Sequence, residues 1–462
     1  MIKPHILVLA AGRGKRMQSE APKVLHPVLF RPIIHYVLDF ARALPHSSLS
    51  MVVGYQHPQV ISHCHAYEGL NYFIQENLAG TADAIRTAEG FLKDKTGQLL
   101  VLSGDVMLLT GRSLERLLAV HSAEKAALTV LTAEVEAPGT LGRVLRDSHG
   151  KLLGIRESVD CSESERELNE INVGVYCFEL DILFKTLDQI KPSNQQKEYY
   201  LTDTIGILIA QNQKVVAVPL DDPTEALGIN TRRDLADVET LLQMRVNDEL
   251  MLNGVNLQCP ETIFIDPTSK IEPDVRIEAG CTIIGSSVAR GTLIESYSRV
   301  IDSVIAKDCY IKQGSYILGS EVGDKSSVGP YANLRPGTRL KEKVKIGNFV
   351  ELKNSVLEDG VKAAHLSYIG DAEVGRNVNI GCGFITCNFD GGPEKHRTII
   401  EDDVFIGSDS QVVAPVKLGK GSYIASGTTV TEDVPPDTLA LSRGRQVNKP
   451  GFSKQPKKDA GC

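Results

Sequence analysis

Apolar positions follow two different rhythms along this chain, and the change falls near residue 262. Beyond it an aliphatic residue returns every sixth position: Ile265, Ile271, Ile277 and Ile283; then Val322, Val328, Leu334, Leu340, Ile346 and Leu352; then Ile400, Ile406, Val412, Leu418, Ile424 and Val430. Glycine or a small polar residue often stands beside them, as in Ile346-Gly347 and Ile406-Gly407. A helix repeats every ~3.6 residues and an alternating strand every two, so neither gives this spacing. A hexapeptide repeat does: each unit is one short strand plus a turn, one aliphatic side chain points inward, and the units stack as a parallel β-helix. Three units make one triangular coil, so residues 253–437 predict about ten coils and a prism about 50 Å long at ~4.8 Å per stacked strand. Such hexapeptide helices wind left-handed, an exception to the usual right-handed crossover. Residues 387–397 break the period and predict an external loop.

The first half shows the other rhythm, short aliphatic runs alternating with helical patterns. Strands are predicted at 5–10, 49–54, 99–102 and 127–132, with a helix at 112–121. Strand–helix alternation implies a mostly parallel sheet covered by helices, whose ligands bind beyond the carboxyl ends of the strands. Residues 231–252 place Leu235, Val238, Leu241, Leu242 and Val246 at helical spacing, and Thr231 with Asp234 resembles a capping pair at the start. The predicted organisation is an α/β Rossmann-like domain at 1–230, a helical linker at 231–252, a left-handed parallel β-helix at 253–443, and a mobile basic tail at 444–462 carrying Lys454, Lys457 and Lys458.

Composition narrows the function. At 462 residues more than one domain is expected, and a net charge of −8 argues against non-specific nucleic-acid binding. Tryptophan is absent and aromatics make up 5%, which suits a narrow interior filled by Ile and Val. No apolar stretch approaches the ~20 residues of a membrane span. Residues 1–11 are apolar but short, and lack the charged front and cleavage site of a signal peptide. The nine cysteines form no C-x-x-C pair and read as reduced thiols of a cytoplasmic protein. His63-Cys64-His65 lacks further metal ligands and reads as a solvated loop.

Candidate chemistry in the first half begins at Leu9-Ala10-Ala11-Gly12-Arg13-Gly14-Lys15-Arg16-Met17, directly after a strand. A glycine-rich turn there lets backbone N–H groups approach phosphates, and Arg13, Lys15 and Arg16 add positive charge. By itself this loop is weak evidence: it is neither a Walker loop nor a dinucleotide fingerprint. Its context is Pro22-Lys23-Val24-Leu25, Gln75, Gly80-Thr81, Ser103-Gly104-Asp105-Val106, Gly142-Arg143, Glu157, Asn172-Val173-Gly174 and Gly228-Ile229-Asn230. Together these resemble the sugar-1-phosphate nucleotidyltransferases across almost the whole first half. The resemblance implies that Leu9, Ala10, Ala11, Gly12 and Arg16 cradle a triphosphate and that Lys23 neutralises phosphate charge. It implies that Gln75, Gly80 and Thr81 face uracil, that Gly142, Glu157 and Asn172 bind the sugar, and that Asp105 and Asn230 hold Mg²⁺. One carboxylate plus one amide oxygen suits Mg²⁺, which keeps waters and takes phosphate oxygens as further ligands. Lys15 stands where that family usually has threonine, and Met107 where proline is common.

The repeat region is rich in reactive residues. Arg335, Lys353, His365, Tyr368, Asn379 and Asn388 interrupt its monotony, within Glu351-Leu352-Lys353-Asn354, His365-Leu366-Ser367-Tyr368 and Thr386-Cys387-Asn388-Phe389-Asp390-Gly391. The arrangement resembles the acetyltransferase half of the bifunctional N-acetylglucosamine-1-phosphate uridylyltransferase/glucosamine-1-phosphate N-acetyltransferase family, and the likeness then spans nearly the whole chain in the same domain order. It implies His365 as general base, Arg335, Lys353, Tyr368 and Asn379 on the sugar phosphate, and Cys382, Asn388, Phe389, Ser408, Ser426 and Arg443 around acetyl-CoA. It also implies a homotrimer through the β-helix, with UTP and acetyl-CoA as co-substrates. Cys382, Phe384 and Phe389 depart from the alanine, threonine and tyrosine expected there. Two rivals are a single-activity nucleotidyltransferase with a scaffolding prism and a non-catalytic sugar-nucleotide sensor. The first lacks a use for the Arg335/Lys353/His365/Tyr368 set, and the second a use for Lys23 and Asp105.

Overall fold

His5–Ala10 sends Ile6 and Val8 into one core and Leu7 into another on the opposite face, so the strand is buried on both sides. This is where the computed structural model, which describes residues 3–442 and 444–452, centres its first sheet. The strand order is Val215–Pro219, Leu128–Glu134, Glu170–Glu179, Gln98–Ser103, His5–Ala10, Ser48–Val53, Leu70–Ile74. The last four run parallel, as the alternation predicts. Glu170–Glu179 runs antiparallel between Gln98–Ser103 and Leu128–Glu134, a reversal the alternation did not foresee. The predicted helix at 112–121 is Gly111–Glu124, started by the Thr110 hydroxyl accepting from Ser113 N at 3.3 Å. Of His63-Cys64-His65, His63 ends helix His57–His63 and the other two lie in the turn after it; both histidines face solvent as expected, but Cys64 is fully buried.

Helix Arg232–Leu252 begins as its sequence suggests. The Asp234 carboxylate accepts from the Asn230 and Thr231 N–H groups at 2.9 Å each, and the Thr231 hydroxyl accepts from Asp234 N at 3.1 Å. The chain divides into two compact units, Met1–Leu242 and Gln243–Cys462. Leu235, Val238, Leu241 and Leu242 pack in the first; Val246, Leu250 and Met251 pack against the core of the second.

The second unit is a left-handed parallel β-helix of hexapeptide repeats. Its sixth-position aliphatics do point inward: Val328, Leu334, Leu340, Ile346 and Leu352 are each at most 2% exposed. Burying each such side chain contributes about 1.5–3 kcal/mol, which short strands of two or three residues could not obtain from hydrogen bonds alone. Most strands are that short, but Lys345–Lys353 and Lys362–Gly370 run nine residues each. Both cross a corner of the triangle. Lys345 pairs with Ser327 on one face while Glu351 pairs with Asn333 on the next. At the corner Phe349 and Leu366 adopt left-handed backbone conformations, with φ of 56° and 24°. The insertion predicted at 387–397 lies between strands Ile385–Cys387 and Thr398–Ile400, so it spans residues 388–397 and Cys387 still belongs to the coil.

Candidate active sites

In the first unit the candidate phosphate loop follows His5–Ala10, and Asp105 follows Gln98–Ser103, its parallel neighbour in the sheet. The two ends lie very close because residue 104 is glycine: a Cβ there would sit 2.8 Å from the Leu9 carbonyl oxygen. This approach brings Lys23 against Asp105 in an ion pair, with the side chains only 14% and 16% exposed. Lys23 Nζ also donates to Asn230 Oδ1 at 3.2 Å, and Arg16 donates to the same oxygen at 2.9 Å. The Ser103 hydroxyl donates to the other Asp105 oxygen at 2.6 Å. Burial works to raise the Asp105 pKa, but the Lys23 charge and the hydrogen bonds from Lys23 and Ser103 outweigh it, so the carboxyl is held below its ordinary value. Lys23, Arg16, Asp105 and Asn230, separated by up to 214 residues in the sequence, therefore form one cluster.

That cluster has the donor set a hard cation requires. One Asp105 oxygen and the Asn230 amide oxygen both accept from the Lys23 ammonium, so a carboxylate and an amide oxygen face the same point and could serve a small cation. Among the described residues no group of three or more His, Cys, Asp or Glu could hold a metal. A metal here would take its remaining ligands from water and phosphate.

The other first-unit candidates are arranged as follows. Gln75 is buried and its amide donates to the Gly80 carbonyl at 3.0 Å and to Asp83 at 2.8 Å, so its side chain braces the turn before helix Thr81–Arg86. The Thr81 hydroxyl accepts from Leu201 N at 2.9 Å. Asn172 N–H donates to the Gly142 carbonyl at 2.9 Å, and the Asn172 amide donates to Tyr176 at 2.7 Å. Glu157 lies beside Gly142 and accepts from the Thr202 hydroxyl at 3.2 Å. Burial raises its pKa; Thr202 opposes this, while Asp203 and Asp160 add to it.

In the second unit the coil geometry sorts the candidates. Ala363, Ile380, Ile406 and Ile424 pair one to the next along a face. Two residues after each stand His365, Cys382, Ser408 and Ser426, which therefore form one column along an edge of the prism. The backbone bonds of this edge agree: Gly383 N to Leu366 O, Asp409 N to Cys382 O and Gly427 N to Ser408 O. Asn348 precedes His365 in the same column, and its Oδ1 lies 3.1 Å from His365 Nδ1. An accepting amide oxygen puts the proton of a neutral imidazole on Nδ1 and leaves Nε2 free to take one. Sequence reasoning missed Asn348, although its offset of one coil from His365 was there to be used.

Tyr368, Lys353 and Arg335 lie on the next face and its far corner. Arg335 pairs with Glu351 at 2.9 Å, and Asn388 Nδ2 lies 3.4 Å from the Tyr368 hydroxyl. Asn379 pairs with Lys362 on the first face, so one chain does not gather all the sugar-phosphate candidates. Cys382 and Phe389 are exposed, and Lys395 sits over the Phe389 ring at 3.8 Å. Phe384 is fully buried in the coil core, so its departure from threonine is a packing change that reaches no surface. Arg443 and residues 453–462, including Lys454, Lys457 and Lys458, lie outside the described residues.

Comparison with known proteins agrees with this division. Residues 5–242 match the nucleotidyl transferase family, and residues 397–432 match the bacterial transferase hexapeptide (six repeats). The bifunctional protein GlmU of Trichlorobacter lovleyi is 46% identical over 96% of this chain and 97% of that protein. The GlmU of Pelobacter propionicus is 45% identical over 98% of each, and that of Brevibacillus brevis 42% identical over 99% of each. With a Lys23–Asp105–Asn230 cluster at its strand ends, a His365 column on its β-helix and this likeness along its whole length, the chain belongs to the GlmU family of bifunctional transferases.

Proposed function

We propose that the chain makes UDP-N-acetylglucosamine at two separate sites. In the second unit the amine of glucosamine-1-phosphate attacks the thioester carbon of acetyl-CoA. The C–N bond forms, the C–S bond breaks, and CoA leaves. A protonated amine cannot attack, so His365 Nε2 takes its proton and passes it to the departing thiolate. Arg335 and Lys353 are suited to the sugar phosphate, Arg335 through a planar fork and Lys353 as a point charge. The column of Cys382, Ser408 and Ser426 offers an edge along which the CoA arm can lie.

In the first unit a phosphate oxygen of N-acetylglucosamine-1-phosphate attacks the α-phosphorus of UTP, and pyrophosphate leaves. The nucleophile is already ionised, so no general base is required. Lys23 and Arg16 neutralise the converging anions. Asp105 and Asn230 would hold Mg²⁺, which supplies further charge neutralisation for the phosphates. Glu157, Asn172 and Gly142 line the sugar, and the Gln75-braced turn at Gly80-Thr81 faces the base.

The observation that carries this reading is that one chain holds both the cationic cluster and the His365 edge. The protein mixed with UTP, Mg²⁺ and N-acetylglucosamine-1-phosphate is expected to release pyrophosphate, and to do so without acetyl-CoA. Release only from other sugar phosphates would overturn the assignment of the first site.

The β-helix edge also supports a homotrimer with acetyl-transfer sites between subunits. Tyr297, Tyr331, Phe349 and Leu366 line that edge, each more than half exposed and each in a left-handed conformation that bulky residues rarely adopt. Such an apolar row next to His365 is suited to burial against another copy. Assembly would also bring Asn379 of one copy toward residues on a different face of another. All eight cysteines among the described residues are free, as thiols in a reducing compartment are, which supports a cytoplasmic enzyme whose product would feed peptidoglycan and lipopolysaccharide synthesis. No helix of the described residues is long and apolar enough to cross a membrane.

Cys382 stands one coil from His365 and is exposed. A thiol reagent is therefore expected to block acetyl transfer and spare uridylyl transfer, with Cys382→Ala protecting. Equal loss of both activities, or no protection by the substitution, would contradict a place for Cys382 on the acetyl-CoA path.

A further inference from the structure

Among the described residues of the β-helix, two carboxylates are buried and unused by the mechanism above: Asp266, satisfied within its own turn by Thr268 and Ser269, and Asp371, which lies beside the sugar-phosphate candidates. Asp371 is 7% exposed and sits at a corner with φ of 51°. Its two oxygens are both engaged: Oδ1 accepts from Asn354 Nδ2 at 2.6 Å and Oδ2 from Asn388 Nδ2 at 2.5 Å. Lys353 Nζ lies 3.9 Å from Oδ2, an ion-pair distance too long for a hydrogen bond.

We propose that Asp371 is the positioning residue of the sugar-phosphate grip, acting through Asn388 on Tyr368 and through its charge on Lys353. The proposal rests on the acetyl-transfer reading of this site. An ionised carboxylate only accepts, so the Asn388 amide must turn its Nδ2 toward Asp371. The same Nδ2 lies 3.4 Å from the Tyr368 hydroxyl, which receives it as an acceptor. The Tyr368 proton is thereby directed away from Asn388, outward to a ligand oxygen. Residue 370 must be glycine for this packing, since a Cβ there would run into both the Tyr368 hydroxyl and Asn388 Nδ2. For Lys353 the effect is electrostatic. The ammonium is held near a negative charge without spending its N–H donors, which stay available for a phosphate.

Asp371→Asn removes the charge, keeps the shape and suits the left-handed corner, which asparagine tolerates. In the full-length protein it is expected to raise the KM for glucosamine-1-phosphate about tenfold or more, the scale of one charge-assisted hydrogen bond. Uridylyl transfer by the same protein should stay within twofold, and the KM for acetyl-CoA should change less than that for glucosamine-1-phosphate. A merely structural role is separated by a double-mutant cycle: on a Tyr368→Phe background Asp371→Asn should cost clearly less than on the wild type. Should the substitution lower the melting temperature, Asn388→Ser cuts the same link, and its effect should likewise shrink on the Tyr368→Phe background. An unchanged KM for glucosamine-1-phosphate, or equal factors on both backgrounds, would overturn the proposal while leaving the acetyl-transfer reading intact. Wild-type protein that releases no CoA with glucosamine-1-phosphate would remove both.

Discussion

Asp105→Ala is expected to lower uridylyl transfer by about a thousandfold, while acetyl transfer by the same protein stays within twofold. Asp105 is the sole carboxylate in a cluster that otherwise carries Lys23, Arg16 and the neutral Asn230. Removing it leaves the Lys23 ammonium, 14% exposed, without its charged partner, and deprives a divalent cation of its only anionic protein ligand in the cluster. The loss of one preorganised electrostatic contact to a reacting phosphate costs about 10²–10³-fold, and here two effects fall on one side chain. Pyrophosphate release from UTP and N-acetylglucosamine-1-phosphate measures the first activity, and CoA release the second. Asp105→Asn should be the milder change, since it keeps an oxygen for the cation and an acceptor for Lys23. If Asp105→Ala retained more than a tenth of its uridylyl transfer, Asp105 would have no direct role with the phosphates.

His365→Ala is expected to give the opposite pattern, with acetyl transfer down about 10²–10⁴-fold and uridylyl transfer unchanged. The reason lies in the nucleophile. The sugar amine is mostly protonated at neutral pH, and something at the site must remove that proton before the thioester can be attacked. His365 is the one titratable group of the edge column whose ring is oriented by a neighbour, Asn348 at 3.1 Å. The deficit of His365→Ala should shrink as pH rises and free amine becomes more abundant. A deficit that is constant across pH would assign His365 to substrate positioning instead.

The β-helix core was legible because its side chains obey a one-dimensional rule. An inward residue returns at every sixth position, with a step of five at some corners, so naming Val328, Leu334, Leu340 and Ile346 from the sequence named much of the core. The edge column was legible in principle too. His365 and Cys382 differ by one coil, and the jump to Ser408 differs by one coil plus the insertion at 388–397. Asp371 was not legible. It is an ordinary polar residue beside a glycine, and its burial arises from Asn354 and Asn388, each seventeen positions away. In the first unit the parallel strands carried a clear alternation, whereas Glu170–Glu179 gave no sign of its reversed direction. Gln75 illustrates a different limit. Sequence likeness places it facing the base, and the structure adds what the sequence does not show: its Nε2 holds Gly80 and Asp83, a contact that depends on how the turn closes.

The central claim is that one chain carries two independent transfer sites, and acetyl transfer measured alone tests it most directly. Purified protein is mixed with acetyl-CoA and glucosamine-1-phosphate, without UTP or Mg²⁺, and free CoA thiol is followed, with His365→Ala alongside. Release that requires the sugar phosphate and is lost with His365 is the expected result. No release, with pyrophosphate still formed from UTP and N-acetylglucosamine-1-phosphate, would contradict it and leave the β-helix as a scaffold for a single-activity nucleotidyltransferase.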